Sequence, residues 1–358
     1  MQLAFYAPMK PPDHPVPSGE RTIARSLIAA LELAGIEVAL ASTMRSRDGA
    51  GDTAKQTALT EAAATEITRL IPQGRAQDWQ AWITYHNYYK APDLIGPTVA
   101  AALGIPYLQV ESTRAKKRLT GAWASFAAHA EAATDAAQVV FYFTERDAET
   151  LWRDAPADQH LHHLRPFLGR DTLPGASTLN GPMLSVGMMR TGDKLASYGI
   201  IADTLALLPP QSWHLNIAGD GPARGAVETL MAPFGDQVTF LGQLDAETLQ
   251  AHYKTASLML WPGVNEALGL AYLEAQAAGV PVVAQDRPGM REVLAPGNHP
   301  DPLDGPQALV RHITQLLHSH DERDIRGKAA RRFVAAGHLL PSAAATLVEG
   351  LATTGVRP

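Results

Sequence analysis

The chain has no cysteine. That removes disulfides, thiolate catalysis, iron–sulfur ligation and cysteine-built zinc sites together. It fits a reducing compartment. Aromatic residues are few at 6%, and charged residues reach only 18%. Yet 46% of the chain is apolar, far from the low-hydrophobicity, high-charge signature of disorder. Basic charge is not in excess: the formal net charge is −6, whereas a dedicated nucleic-acid binder is strongly basic. No run of about 18 apolar residues occurs, so no membrane-spanning helix is expected. Met1–Ala7 has no basic segment ahead of its short apolar run and reads as a first strand, not a signal peptide. The expected location is cytoplasmic, with peripheral attachment at the inner face of the membrane left open.

Motif absences narrow the choice further. There is no Gly-x-Ser-x-Gly elbow for a serine hydrolase. Gly219, Gly221 and Gly225 miss the dinucleotide fingerprint by one residue, and Pro222 removes an N–H where phosphate would bind. His160, His162 and His163 fall in an expected loop without a carboxylate pair at useful spacing. They read as incidental, not as a metal site.

At roughly 150 residues per domain, 358 residues make two or three domains. Short apolar runs alternate with helix-period stretches. In the first half the expected strands are Leu3–Tyr6, Ile36–Ala41, Ala81–Tyr85, Ile105–Val110 and Val139–Phe143. Helices are expected over Thr22–Leu33, Thr53–Leu70, Pro92–Leu103 and Ala115–Ala133, with Gly35 and Gly104 at C-terminal caps and Pro92 in a first turn. Residues 164–182 are rich in proline and glycine and read as a linker. A second array runs from strand Met183–Gly187 to strand Val280–Ala284, with helices between, and helical segments finish the chain. Alternating strands and helices imply parallel sheets covered on both faces, with ligands beyond the carboxyl ends of the strands.

Several polar residues stand just there. After strand Leu258–Trp261 come Glu266, Leu268, Gly269 and Leu270, then a helix carrying Glu274. A helix N-terminus offers free N–H groups and positive dipole to a phosphate or hydroxyl. Glycine permits close approach of a ligand to that backbone. A carboxylate on each side can accept hydrogen bonds from sugar hydroxyls. Alone, two glutamates are equally at home on an ordinary exposed helix. The neighbours add weight: Arg190 and Lys194 follow strand Met183–Gly187, where two cations can hold a diphosphate.

The ordered set Gly187…Arg190…Lys194, Gly219-Asp220-Gly221-Pro222, Phe240-Leu241-Gly242, Glu266-Ala267-Leu268-Gly269-Leu270 with Glu274, and Ala278-Gly279-Val280-Pro281-Val282-Val283-Ala284 resembles the family 4 retaining glycosyltransferases. The resemblance is strong over residues 183–295 and looser over 1–165. It implies the α/β GT-B fold, two Rossmann-like domains facing each other across a cleft. Residues 1–165 would bind the acceptor and 182–338 the nucleotide sugar, with a last helix near 341–355 packing back on the first domain. It implies a metal-independent, retaining hexosyltransferase whose co-substrate is a UDP- or GDP-sugar, with no other cofactor. Lacking any Asp-x-Asp, the chain does not match the metal-dependent glycosyltransferase architecture.

The resemblance also implies roles. Arg190 and Lys194 would neutralise the diphosphate, Glu266 would hold sugar hydroxyls, and Glu274 would bind the ribose. The Leu268, Gly269 and Leu270 amides would contact sugar and phosphate. Two departures stand out: Ala267-Leu268 replaces Gly-Phe, and two methionines separate Gly187 from Arg190. In the first half, Gly19 stands in a loop expected near the donor phosphates. His86 is a candidate proton acceptor at a strand end, and Glu111 and Lys90 are candidate acceptor contacts.

Arg114, Lys116, Lys117 and Arg118, followed by Trp123, could lay a helix on an anionic membrane. A solvated basic turn is the plainer alternative. The acceptor class stays open among lipid, glycan and small molecule, with no nucleic acid. Two other functions fit the same motifs: a non-catalytic sugar-nucleotide-binding subunit of a glycosylation complex, and a GT-B sugar-nucleotide epimerase.

Overall fold

The computed structural model describes residues 1–16 and 18–357. The chain divides into two units. The first comprises Met1–Arg165, Gly169–Asp171 and the chain from Leu340 onward; the second comprises Pro166–Leu168 and Thr172–Leu339.

The first unit is a six-stranded parallel sheet. Its strands are β1 (Gln2–Tyr6), β2 (Glu37–Ser42), β3 (Trp79–Asn87), β4 (Tyr107–Ser112), β5 (Val139–Tyr142) and β6 (His160–His163), in spatial order β2-β1-β3-β4-β5-β6. Helices α1 (Gly19–Leu33), α2 (Thr53–Ala76), α3 (Gly96–Leu103), α4 (Ala124–Ala136) and α5 (Glu145–Asp154) connect them. The central strands are continuous apolar runs because helices cover both faces. In α1, Ile23, Leu27, Ala30 and Leu31 recur on one buried face. Ser18 Oγ caps its start by accepting from the Arg21 N–H at 3.3 Å.

The second unit is a five-stranded parallel sheet. Its strands β7 (Met183–Val186), β8 (Leu215–Ala218), β9 (Val238–Gly242), β10 (Met259–Leu260) and β11 (Val282–Val283) lie in the order β11-β10-β7-β8-β9. Helices α6 (Asp193–Leu205), α7 (Arg224–Met231), α8 (Ala246–Tyr253), α9 (Leu270–Ala277), α10 (Gly305–His318) and α11 (His320–Gly337) complete it. The last helix, α12 (Leu340–Thr353), packs on α1, β5 and β6 of the first unit. A side chain at Gly350 would collide with Phe141, so this glycine lets the helix lie close on β5.

The alternating pattern holds, with local differences. His160, His162 and His163 form the edge strand β6, paired in parallel with β5. Its composition hides it, since only Leu161 is apolar. Helix α5 is absent from the sequence expectation because it buries only Ala148 and Leu151. The third helix begins at Gly96 with a proline in its first turn, so Pro92 lies ahead of it. Helix α2 runs through Pro72 to Ala76, beyond the expected end at Leu70. The expected helix Ala115–Ala133 is a short 3₁₀ turn at Lys116–Arg118 and then α4. Gly121, at φ +80°, lies in the break between them.

His320–Thr353 is long and apolar enough by composition to cross a membrane, although charged residues interrupt it. Its most apolar window is 56% buried within the fold.

Candidate functional site

In the second unit the chain builds β7, β8 and β9 to one side, then returns to place β10 and β11 on the other. The carboxyl ends of β7 and β10 therefore flank the switch point of this sheet, where ligands of open parallel sheets bind.

The loop after β7 is pinned by its neighbour after β8. Met189 N–H donates to Asp220 O at 2.9 Å, and Met189 O accepts from the Ala223 N–H at 2.9 Å. The approach leaves no room for side chains at Gly219 and Gly221, whose φ values are +145° and +153°. Met189 is thereby buried and Arg190 exposed. This accounts for the unusual Gly187–Arg190 spacing: one methionine enters the core and the arginine still emerges. Among the described residues no carboxylate lies within ion-pair distance of Arg190.

Lys194 stands in the first turn of α6 and Glu266 in the loop after β10. The Lys194 ammonium donates to both Glu266 oxygens, at 2.7 Å to Oε2. Trp261 Nε1 donates to the same Oε2 at 2.8 Å, and Lys194 Nζ lies 5.3 Å from the Trp261 ring centre. The two residues expected to touch different parts of a donor thus form one ion pair. The loop is tied to α6: Asn265 donates to Asp193 Oδ2 at 2.9 Å, and the Val264 N–H donates to Ser197 Oγ at 3.1 Å. Gly269, φ +57°, stands at the N-cap of α9, and no side chain caps the helix. A Cβ there would crowd Tyr272 and Val293. Leu268, Gly269 and Leu270 therefore stand at an uncapped helix N-terminus. Further along α9, Glu274 Oε2 accepts from the Tyr253 hydroxyl at 3.3 Å.

The first unit has its switch point between β1 and β3. His86 (φ +65°) is the penultimate residue of β3 and Glu111 (φ +59°) the penultimate residue of β4. Left-handed backbone is costly for side-chain-bearing residues and collects at functional sites. Glu20, in the first turn of α1, completes a cluster. Its Oε2 lies 2.8 Å from His86 Nδ1, and Glu111 Oε2 lies 3.8 Å from the same nitrogen.

Burial disfavours charge on His86, but the Glu111 charge and the Glu20 hydrogen bond outweigh it and push the imidazole to about 9. Burial raises Glu111 to about 7, with His86 opposing. Glu20, though also partly buried, is held below the usual carboxylate range by its hydrogen bond to His86. This favours the charged imidazole at neutral pH, whereas the role expected of His86 from the sequence is that of a proton acceptor. The donor atoms of Glu20, His86 and Glu111 lie within 4.8 Å of one another, close enough for a cation to bridge. A protonated imidazole offers no lone pair, so the cluster as it stands is an internal ion-pair set. Gly19 is the first residue of α1, not part of a loop, and no close contact requires its lack of a side chain.

Sequence reasoning missed Glu20. Its only signal was an acid one turn into a helix after the Ser18 cap, a common arrangement that favours the dipole.

Beyond His86 runs a chain of rings: His86–Tyr88 at 4.8 Å between centroids, Tyr88–Tyr89 at 5.6 Å and Tyr89–Trp123 at 5.7 Å. Lys90 and Arg118 flank the last pair. The basic stretch is no uniform membrane face. Arg114 is buried and paired with Glu131 at 2.9 Å and Asp135 at 2.7 Å. Lys116 pairs with Asp154 at 2.9 Å. Trp123 belongs to the ring chain, and only Lys117 is exposed with no ion-pair partner among the described residues.

Residues 183–319 match the family described as Glycosyl transferases group 1. The chain is 32% identical over 123 residues to a sulfoquinovosyl transferase of Arabidopsis thaliana, covering 32% of this chain and 23% of that protein. It is 32% identical over 148 residues to a GDP-mannose-dependent phosphatidylinositol monomannoside mannosyltransferase of Mycobacterium tuberculosis, covering 38% of each. The matches thus span well under half the length of these relatives. The fold aligns over 97% of both chains with sucrose-phosphate synthase from Thermosynechococcus elongatus, at TM-score 0.68 and 18% identity. Over residues 183–319 the chain is thus similar to the glycosyl transferases group 1, and its two Rossmann-like units have the GT-B fold.

Proposed function

We propose that the protein is a retaining, metal-independent glycosyltransferase that moves a hexose from a UDP- or GDP-sugar to an acceptor bound by the first unit. The observation that carries this reading is the Lys194–Glu266 pair beside Trp261, at the switch point that also presents Arg190 and the start of α9. On donor binding, Arg190 and Lys194 face the diphosphate and stabilise the charge that grows as the glycosidic bond breaks. Glu266, released from part of its hold on Lys194, accepts hydrogen bonds from sugar hydroxyls. The amides of Leu268, Gly269 and Leu270 meet phosphate and sugar, and Glu274 takes the ribose.

The GDP-mannose named for the mycobacterial relative makes that sugar the first donor to try. The acceptor is a lipid, a glycan or a small molecule bound by the first unit. A thermal-shift screen of the full chain against UDP-, GDP-, ADP- and dTDP-sugars tests the donor assignment, since a ligand that binds only the native state raises the Tm. A rise with one nucleotide sugar, lost in Lys194→Ala, is expected; no rise with any donor overturns the reading. Release of nucleoside diphosphate by the isolated chain separates an enzyme from a binding subunit. Isomerised sugar without acceptor would point to an epimerase.

A further inference from the structure

The rings beyond His86 carry cations that no carboxylate among the described residues pairs with. Lys90 Nζ lies 5.6 Å from the Tyr89 ring centre and 5.5 Å from that of Trp123. The Arg118 guanidinium carbon lies 5.1 and 5.5 Å from the same two centres. Arg47, exposed, reaches the Tyr88 hydroxyl. Among the described residues none of these three has a carboxylate within ion-pair distance, whereas neighbouring Arg114 and Lys116 are each paired. The difference matters physically. An aromatic face orients a cation through its quadrupole without cancelling the charge. A carboxylate would cancel it, and an incoming anion would have to displace that partner.

The platform is also rigid. The Asp48 N–H donates to Lys90 O at 2.8 Å. Gln56 Nε2 donates to Ala122 O at 2.9 Å. Gly51 lies so close to Ala122 and Trp123 that a side chain there would clash with the alanine. Asp48, a buried acid whose N–H meets the Lys90 carbonyl, spends its oxygens on the Ala50 and Asp52 N–H groups and on Gln56. It therefore leaves the cations alone.

We infer that the face formed by Tyr88, Tyr89 and Trp123 with Lys90, Arg118 and Arg47 is an acceptor subsite for a sugar ring bearing a phosphate ester. The C–H face of the ring packs on the aromatic side chains, which supply large, stiff apolar area. The phosphate is held by the lysine as a point charge and by the arginines through their forked N–H groups. The ring chain begins at His86, so an acceptor anchored by its phosphate presents a hydroxyl toward the Glu20–His86–Glu111 cluster. This inference rests on the glycosyltransferase reading for its meaning, but its test does not.

Binding is measured on the full chain with glucose and mannose, with their 6-phosphates, and with phosphatidylcholine vesicles with and without phosphatidylinositol. The hexose phosphates bind at least about tenfold tighter than the parent hexoses, the scale of one charge-assisted contact. The double variant Lys90→Gln with Arg118→Gln keeps its fold by circular dichroism and loses that advantage. Trp123→Ala weakens phosphorylated and parent sugars alike. Preference for phosphatidylinositol vesicles, lost in the double variant, identifies a lipid headgroup as the source of the phosphate. Binding of free hexose phosphates alone identifies a soluble acceptor. Equal affinity for phosphorylated and parent hexoses without vesicle preference overturns the inference, as does unchanged affinity in the double variant. Nucleotide-sugar binding, followed in parallel, reports only on the second unit, so its failure counts against the donor assignment alone.

Discussion

Glu20 and His86 stand 66 residues apart in the chain, and the Glu20 carboxylate lies 2.8 Å from His86 Nδ1. With Glu111 at 3.8 Å from the same nitrogen, the imidazole is held between two acids. This arrangement favours the charged imidazole, which donates hydrogen bonds from both ring nitrogens and has no lone pair to take a proton.

Removing the Glu111 charge should release part of that hold. In Glu111→Gln, the His86 imidazole should titrate well below about 9, nearer its ordinary value, because Glu111 is the largest influence raising it. Nuclear magnetic resonance of the His86 ring protons across pH 5–10 measures this. An unmoved titration would mean that Glu20 alone holds the proton.

The same shift makes stability depend on pH. The folded value of His86, about 9, exceeds its unfolded value of about 6.5. The folded state therefore binds the proton more tightly. The stabilisation is fully present below about pH 6.5 and is lost as pH rises through 9. Glu111, raised to about 7, acts in the same sense at lower pH: the folded state holds its proton longer, and stability falls as pH climbs from about 4.5 through 7. Urea midpoints between pH 5 and 10 should decline more steeply in the native protein than in His86→Gln. Parallel declines would remove His86 from the account.

Loss of either partner in the Lys194–Glu266 pair should strike turnover rather than folding. Both side chains are partly exposed, at 27% and 15%, and in the proposed function they face the donor. Lys194→Ala and Glu266→Ala should each reduce turnover by about 10²–10³, the usual cost of one group that stabilises developing charge, with little change in Tm. Near-normal turnover in both purified variants would sink the donor assignment.

Gly219→Ala should be costly although the residue touches no ligand in the proposed mechanism. Its φ is +145°, and an added Cβ would run into the Gly187 carbonyl oxygen at the end of β7. A loss of about 3 kcal/mol or more is expected from backbone strain and displacement of the β7 loop, read as a lowered urea midpoint. A midpoint within experimental error of the parent would show that the loop yields freely.

Asp93→Ala tests the first unit in the same way. Its Oδ1 accepts from the Ile95 and Gly96 N–H groups at 2.9 and 2.8 Å, and its Oδ2 from the Thr84 and Tyr107 hydroxyls at 2.5 and 2.8 Å. All of these partners are buried. Stranding them should cost about 3 kcal/mol or more. Asp93→Asn, which keeps an acceptor, should recover a good part of that loss.

The sequence alone determined the alternation of strands and helices, the two-sheet architecture, and the placement of polar residues just after strands. These follow from local periodicity, from glycine and proline punctuation, and from motifs whose residues stand near one another in the chain. Gly104 after α3 was legible as a cap because left-handed backbone favours glycine. Edge strand β6 and helix α5 were not, because each buries too little apolar surface to leave a period. What only tertiary structure decided was which charges meet. Lys194 and Glu266, 72 positions apart, form one pair because β7 and β10 are neighbours in the sheet. Glu20 reaches His86 because β1 and β3 are neighbours. Arg114 is spent on Glu131 and Asp135 while Arg118, four residues on, remains unneutralised over its rings. Charge and reactivity depend on distance in space and on burial, and a list of residues carries neither until the sheets are ordered.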